Sequence, residues 1–246
     1  MILLCAVGLS SCGIYRQNVV NVPLMQQKHQ TQLGAHIGFT GYDGQASYAL
    51  TNHIGLLANY SDLGTKRVSF STVNRSIDKH NFGEAGAGYY AKNKTGWTYE
   101  FFILAGTGMS SHFVTGGDTI AGHTQPFTNL RTAHYDRFVL QADLGKSTQQ
   151  LRFAFTPRIF FIHYYNIRDT ETDRYKNFPS TYLYADLAVT LQYKLLKYLM
   201  VSTQVGLTAP ITGFKVGYYE SSPFNCSLGL ILNMNFFSFS DKRVGN

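Results

Sequence analysis

Charge is scarce in this chain: Asp, Glu, Lys and Arg make up 14% of its 246 residues, about half the usual share. Cysteine is scarcer, with Cys5, Cys12 and Cys226 only. Their spacing excludes a zinc site of paired cysteines or of cysteine and histidine. After the first dozen residues no stretch of about 18 apolar residues occurs, which excludes a transmembrane helix for the body of the chain. The formal net charge is +7, but the basic residues are scattered, as at Lys66, Arg75, Arg131, Arg168 and Lys215. Scattered charges belong to solvated loops, and no nucleic-acid partner is expected. A mean hydropathy of -0.12 looks polar for a membrane protein, yet a barrel wall alternates lipid-facing and lumen-facing residues, so its average stays near zero. Aromatic residues are abundant, 17 Tyr and 18 Phe against a single Trp.

The amino terminus carries a short apolar run, Ile2 to Leu9, followed by Leu9-Ser10-Ser11-Cys12. An aliphatic residue, two small residues and a cysteine resemble the bacterial lipoprotein signal. That resemblance implies a diacylglyceryl group on the Cys12 thiol and cleavage before it. Met1 leads straight into the apolar run, without the basic segment that usually opens a secretory signal. Residues 1–11 therefore read as a lipoprotein signal peptide, 12–28 as a lipidated periplasmic tether with Pro23, Leu24 and Met25, and 29–246 as the barrel. Once Cys5 is removed and Cys12 acylated, Cys226 cannot form an intramolecular disulfide. It alternates with Phe224, Leu228, Leu230 and Leu232 on one strand face and reads as a small wall residue.

From Thr31 onwards the period is two, the mark of strands with unlike faces. The sequence predicts an all-β fold, an antiparallel transmembrane β-barrel of about ten strands near 31–40, 44–51, 53–62, 80–91, 96–107, 135–145, 149–162, 181–195, 198–208 and 223–236. The separation of faces is sharpest where Leu183, Ala185, Leu187, Val189 and Leu191 oppose Tyr182, Tyr184, Asp186, Thr190 and Gln192. A soluble barrel buries its apolar side and wets a Lys- and Glu-rich one. Here the polar face is Gly, Ser, Thr, Asn, Gln and Tyr with isolated charges, which suits an enclosed lumen. Aromatic residues at apolar-face strand ends, Tyr89, Trp97, Tyr99, Tyr193 and Phe236 toward one rim and Phe39, Tyr60, Phe138 and Phe161 toward the other, mark two girdles. Connections alternate between tight turns on the side of the expected lipid anchor and long loops, 63–79, 109–134, 163–180 and 208–222, on the other. Short periplasmic turns and long external loops are the known asymmetry of such barrels.

Eight ionisable residues fall on the predicted lumen face: Glu84, Glu100, Asp143 and Asp186 with Arg137, Arg152, Arg158 and Lys194. Four charges of each sign predict a paired network filling a narrow lumen, and ten strands leave little of the interior of a 16–18-stranded porin. Competing readings are a narrow transport barrel and a rim hydrolase, in which a His of the outer loops (His112, His123, His134 or His163) pairs with an Asp to activate water. No omptin-protease motif accompanies them. Glycine sets such as Gly83, Gly86 and Gly88 lie in strands, where Gly permits close packing, and are not phosphate loops. No cofactor and no metal site is expected.

Taken together, Leu9 to Cys12, Pro23-Leu24 and the stretch Gln45 to Leu56 resemble uncharacterised outer-membrane β-barrel lipoproteins of Bacteroidota-type bacteria. The resemblance implies fold and location and carries no catalytic residue. The expected function is non-enzymatic: a binding, assembly or accessory component of the cell envelope, with outer-membrane lipids and lipopolysaccharide around it and an envelope protein as partner.

Overall fold

The computed structural model describes residues 17–68, 75–120, 123–170, 181–212 and 224–235. Cys12 and Phe236 lie outside them, and the side chain of His123 is not described. Ten strands run in chain order: β1 (Gln30–Gly38), β2 (Gly41–Ala49), β3 (Ile54–Val68), β4 (Arg75–Lys92), β5 (Trp97–Ile120), β6 (His123–Ser147), β7 (Leu151–Asp169), β8 (Thr181–Lys194), β9 (Leu199–Pro210) and β10 (Phe224–Asn235). Each is antiparallel to the next, and β10 closes on β1, from Gln30 opposite Asn235 to Gly38 opposite Ser227. Closure removes every sheet edge, the condition for strands to cross a hydrocarbon layer without unpaired backbone groups.

The alternation read from the sequence becomes two surfaces. Ile103, Phe138, Ile159, Val205, Leu228 and Leu230 stand outward and exposed. Gln141, Thr156, Thr190, Gln192, Ser202 and Gln204, one position out of phase, are buried inside. A protein that shows its leucines and hides its glutamines has hydrocarbon as its outer solvent. Of the expected girdle residues, Tyr89, Tyr99, Tyr193, Phe39, Tyr60, Phe138 and Phe161 are outward and exposed, and Trp97 is half-buried.

At one end the strands join through 50–53, 93–96, 148–150 and 195–198, tight as predicted. The polar side chains there close the turns. Asn93 Oδ1 accepts from the backbone N–H of Thr95 and of Trp97, at 3.0 and 2.9 Å, and Gly96 takes a left-handed φ of 86° that any Cβ would oppose. Thr51 Oγ1 and Thr148 Oγ1 accept from Ile54 N and Leu151 N in the same way. The opposite, long-loop end differs from expectation. β5 and β6 pair continuously from Trp97–Lys146 to Ile120–His123, so the predicted loop 109–134 is mostly a tall hairpin. β3, β4 and β7 also extend beyond their predicted bounds. Above the apolar belt both faces of a strand meet a polar environment, so the period-2 signal fades while the backbone pairing continues.

Candidate functional site: an occupied lumen

The lumen is filled in two storeys. Toward the loop end an aromatic layer projects from β4, β6, β7 and β8. His80 stacks on Tyr135 at 5.9 Å and Tyr135 on Phe82 at 5.7 Å. Tyr164 meets Tyr135 and Tyr182 edge-on or tilted at 5.7 and 5.8 Å, and Phe160 stacks on Tyr184 at 5.3 Å. Offset and edge-to-face packing of this kind rigidifies as it fills.

Beneath that layer lies the predicted charge network. The Arg137 guanidinium donates to Glu84 Oε2 at 2.5 Å and rests on the Phe82 ring at 4.0 Å. Arg158 stands 3.6 Å from the other Glu84 oxygen, which also accepts from Asn59 Nδ2 at 2.8 Å. Asp143 accepts from Thr156 at 2.6 Å and Gln141 at 3.0 Å, and Asp186 from Thr208 at 2.6 Å. Of the eight residues expected there, Glu84, Glu100, Asp143, Asp186, Arg137 and Arg158 are buried. Arg152 is half-buried near the short-turn mouth. Lys194, the last residue of β8, is exposed and shares with Arg152 the lining of a cavity of about 250 Å³ at that mouth. The alternation places Lys194 on the inner face, but the wall ends there.

The main departure concerns the predicted tether. Residues 17–25 are buried inside the barrel, with Val19, Val20, Leu24 and Met25 at most 1% exposed. The segment starts on the loop-end side, where Val19 lies beside Asp43, and descends to the turn-end side, where Met25 lies beside Glu100. It then turns at His29, with φ 65°, into β1.

Its backbone is held by side chains from the wall. Among N–H groups, Val19 donates to Asp43 Oδ1 at 3.2 Å, Val20 to Gln204 Oε1 at 2.7 Å, Leu24 and Met25 to the two oxygens of Glu100 at 3.1 and 2.6 Å, and Gln26 to Gln30 at 2.8 Å. Among carbonyls, Val19 accepts from Gln45 at 2.9 Å, Val20 from Gln204 at 2.9 Å, Asn21 from Gln141 at 2.8 Å, Val22 from Gln192 at 3.0 Å and Pro23 from Gln32 at 2.5 Å. A strand normally satisfies its backbone from other backbones; buried groups left unpaired cost about 1–3 kcal/mol each. Here primary amides and carboxylates supply the partners. The Gln204 amide offers a donor and an acceptor side by side, as a neighbouring strand would.

Side chains of the segment add fixed points. Asn18 accepts from Arg137 at 2.9 Å, and Asn21 donates to Asn59 at 2.9 Å and to the Ala46 carbonyl at 3.0 Å. Val20, Val22 and Leu24 pack with Ala154 and Ala188. Two wall glycines are sockets: a Cβ on Gly145 would lie 2.2 Å from Leu24 Cδ2, and one on Gly55 would lie 2.4 Å from Met25 Sδ. Leu24 itself takes a left-handed φ of 46°, a conformation a branched side chain adopts only when its surroundings over-determine it. The paired Glu100 bonds on either side do so. Gly145→Val is therefore expected to drive the segment from its seat and to lower barrel stability by about 1–3 kcal/mol, the usual cost of overpacking. The temperature at which gel mobility shifts from folded to unfolded measures it.

The rim histidines whose side chains are described each meet a different partner, and the His123 side chain is not among them. His112 pairs with Asp78 across β4 and β5, His134 stacks on Tyr165 at 5.9 Å, and His163 bonds Thr181 at 2.9 Å. Among the described residues no group of three His, Cys, Asp or Glu is arranged to hold a metal. Cys226 is half-buried in the wall, as read.

No family model and no curated protein matches the chain. Solved structures do. The outer membrane protease OmpT from Escherichia coli aligns over 83% of this chain and 93% of its own, with a TM-score of 0.50 and 8% identity. The translocator domain of autotransporter NalP from Neisseria meningitidis aligns over 83% and 86%, with a TM-score of 0.47 and 10% identity. CarO of Acinetobacter baumannii aligns over 87% and 100%, with a TM-score of 0.35 and 11% identity. At 8% identity the likeness to OmpT speaks for the fold alone, that of an outer-membrane β-barrel, and assigns no chemistry.

Proposed function

We propose that the protein is a non-enzymatic, self-sealed barrel of the outer membrane, a binding or accessory component of the envelope that does not serve as an open diffusion pore. The observation that carries this reading is the segment 17–25, hydrogen-bonded through its backbone across the lumen from Asp43, Gln45, Gln204, Gln141, Gln192 and Glu100. Below the aromatic layer, the space in which a solute would travel is taken by the chain's own polypeptide. The exposed aliphatic wall supports a membrane-spanning seat, and the outer-membrane fold of its structural neighbours supports which membrane it is. Cys12 then carries the lipid implied by the signal at Leu9 to Cys12.

The test is electrical. The intact purified chain is expected to insert into planar bilayers without steady single-channel steps, and steady steps from the intact chain would overturn the sealed reading. In the same preparation, metabolic lipid labelling is expected to vanish in Cys12→Ala; a label that persists in the variant removes the anchor from the account.

A further inference from the structure

Resting on the sealed-lumen reading, we propose that the interior of this barrel is a reader of extended polypeptide backbone, built to accept a segment of another chain in place of its own.

The wall recognises its occupant mainly through groups that every peptide has. Gln204 takes both the N–H and the C=O of Val20, and Glu100 takes two successive N–H groups. Gln141 and Gln192 take the carbonyls of Asn21 and Val22. Even Pro23 is read through its carbonyl, by Gln32. A primary amide can turn either way and satisfies donor or acceptor, so a column of glutamines does not depend on the side chains of what lies against it. Main-chain bonding supplies affinity in this mode, and pockets supply whatever selectivity there is. Those pockets are few: the polar seats of Asn18 and Asn21 and the glycine sockets at Gly145 and Gly55. A lumen meant only to be plugged needs no such generality. On the loop side the wall fills its interior with its own side chains, the aromatic layer, without reading any backbone. The ligand class is an extended stretch of about ten residues with small or flexible apolar side chains and amide-bearing residues at two positions, and its natural source is a partner polypeptide drawn through or held in the barrel.

The experiment frees the resident segment after folding. A protease site placed in the exposed turn at Gln27 and Lys28 is cut in the assembled full-length barrel, and fluorescent peptides are offered to the cut protein. One peptide copies residues 17–26. A second keeps Asn18 and Asn21 but replaces Val19, Val20, Val22, Leu24 and Met25 by other aliphatic residues. A third copies the first with N-methyl groups on the backbone nitrogens of Val20 and Met25. The first two are expected to exchange in with affinities within about tenfold of each other, and the third to bind about 100-fold more weakly because two charged or amide acceptors lose their donors. If the native copy alone binds, or if N-methylation changes nothing, the barrel does not read backbone. If no peptide exchanges, the proposal fails as well. Bilayer recordings of the uncut chain, run in parallel, separate the two ideas: silence there leaves the sealed lumen standing whatever the peptides do, and steady conductance removes it.

Discussion

A chain from which residues 17–25 have been excised is expected to conduct in planar bilayers where the intact chain is silent. The wall's own hydrogen bonds run strand to strand and close from β10 to β1 without help from the segment, so the barrel can form around an emptied lumen. What the excision leaves is a column of Gln, Asn, Asp and Glu side chains below the aromatic layer, all able to bond water. Water entry restores most of their hydrogen bonds, but not the burial of Val20, Val22, Leu24 and Met25, each at most 3% exposed in the intact chain. Full burial of such side chains stabilises by about 1.5–3 kcal/mol apiece, so the excised barrel is expected to be less stable by roughly 5 kcal/mol in total once rehydration is allowed for. It should shift on gels at a distinctly lower temperature. An excised barrel that folds, inserts and stays silent would mean that the aromatic layer alone seals the lumen.

Replacing Arg137 by alanine is expected to be the most damaging single change in the wall. Arg137 and Glu84 are fully buried, their side chains 0% exposed, and removing one partner of a buried pair typically costs about 3–5 kcal/mol because the other charge is left without compensation. Arg158, at 3.6 Å, recovers part of this. The Asn18 side chain also loses its donor, and the Phe82 ring loses the cation resting on it. Exchanging both members, Glu84→Gln with Arg137→Gln, leaves two neutral amides in nearly the same volume and is expected to cost less than the single Arg137→Ala. Heat-modifiable mobility of the two variants beside the parent measures the ordering; equal loss in the single and the double exchange would show that packing, not charge, dominates there.

The parts of this molecule that were legible in the sequence are those with two unlike environments. A strand with lipid on one side and a polar lumen on the other must alternate, and Leu183 to Leu191 or Phe224 to Leu232 do so. Parity along those strands also placed Glu84, Arg137, Asp143, Arg158 and Asp186 inside, where they are found. Parity carries no information on where a wall stops, so it assigns Lys194, in phase with its strand, to a lumen that ends before it. The threaded segment left no such trace. A backbone surrounded on all sides by the wall has no distinct faces, so residues 17–26 carry no period, and Pro23 invited the reading of a linker. The signal lay elsewhere, in the wall: Gln32, Gln45, Gln141, Gln192 and Gln204 on inner faces are more amide groups than neighbouring strands can use, and an unassigned stretch of chain was available to meet them.

Disulfide trapping tests the threaded lumen most directly. With Cys226→Ser to remove the wall thiol, Leu24→Cys and Gly145→Cys are introduced together in the full-length chain, at positions where the Leu24 side chain reaches within 2.2 Å of the place a Gly145 Cβ occupies. Mild oxidation of isolated membranes is expected to join the two cysteines in the folded, heat-modifiable form and to block their reaction with a maleimide probe. Two cysteines that stay unjoined and label freely in that form would place the segment outside the barrel and contradict the account.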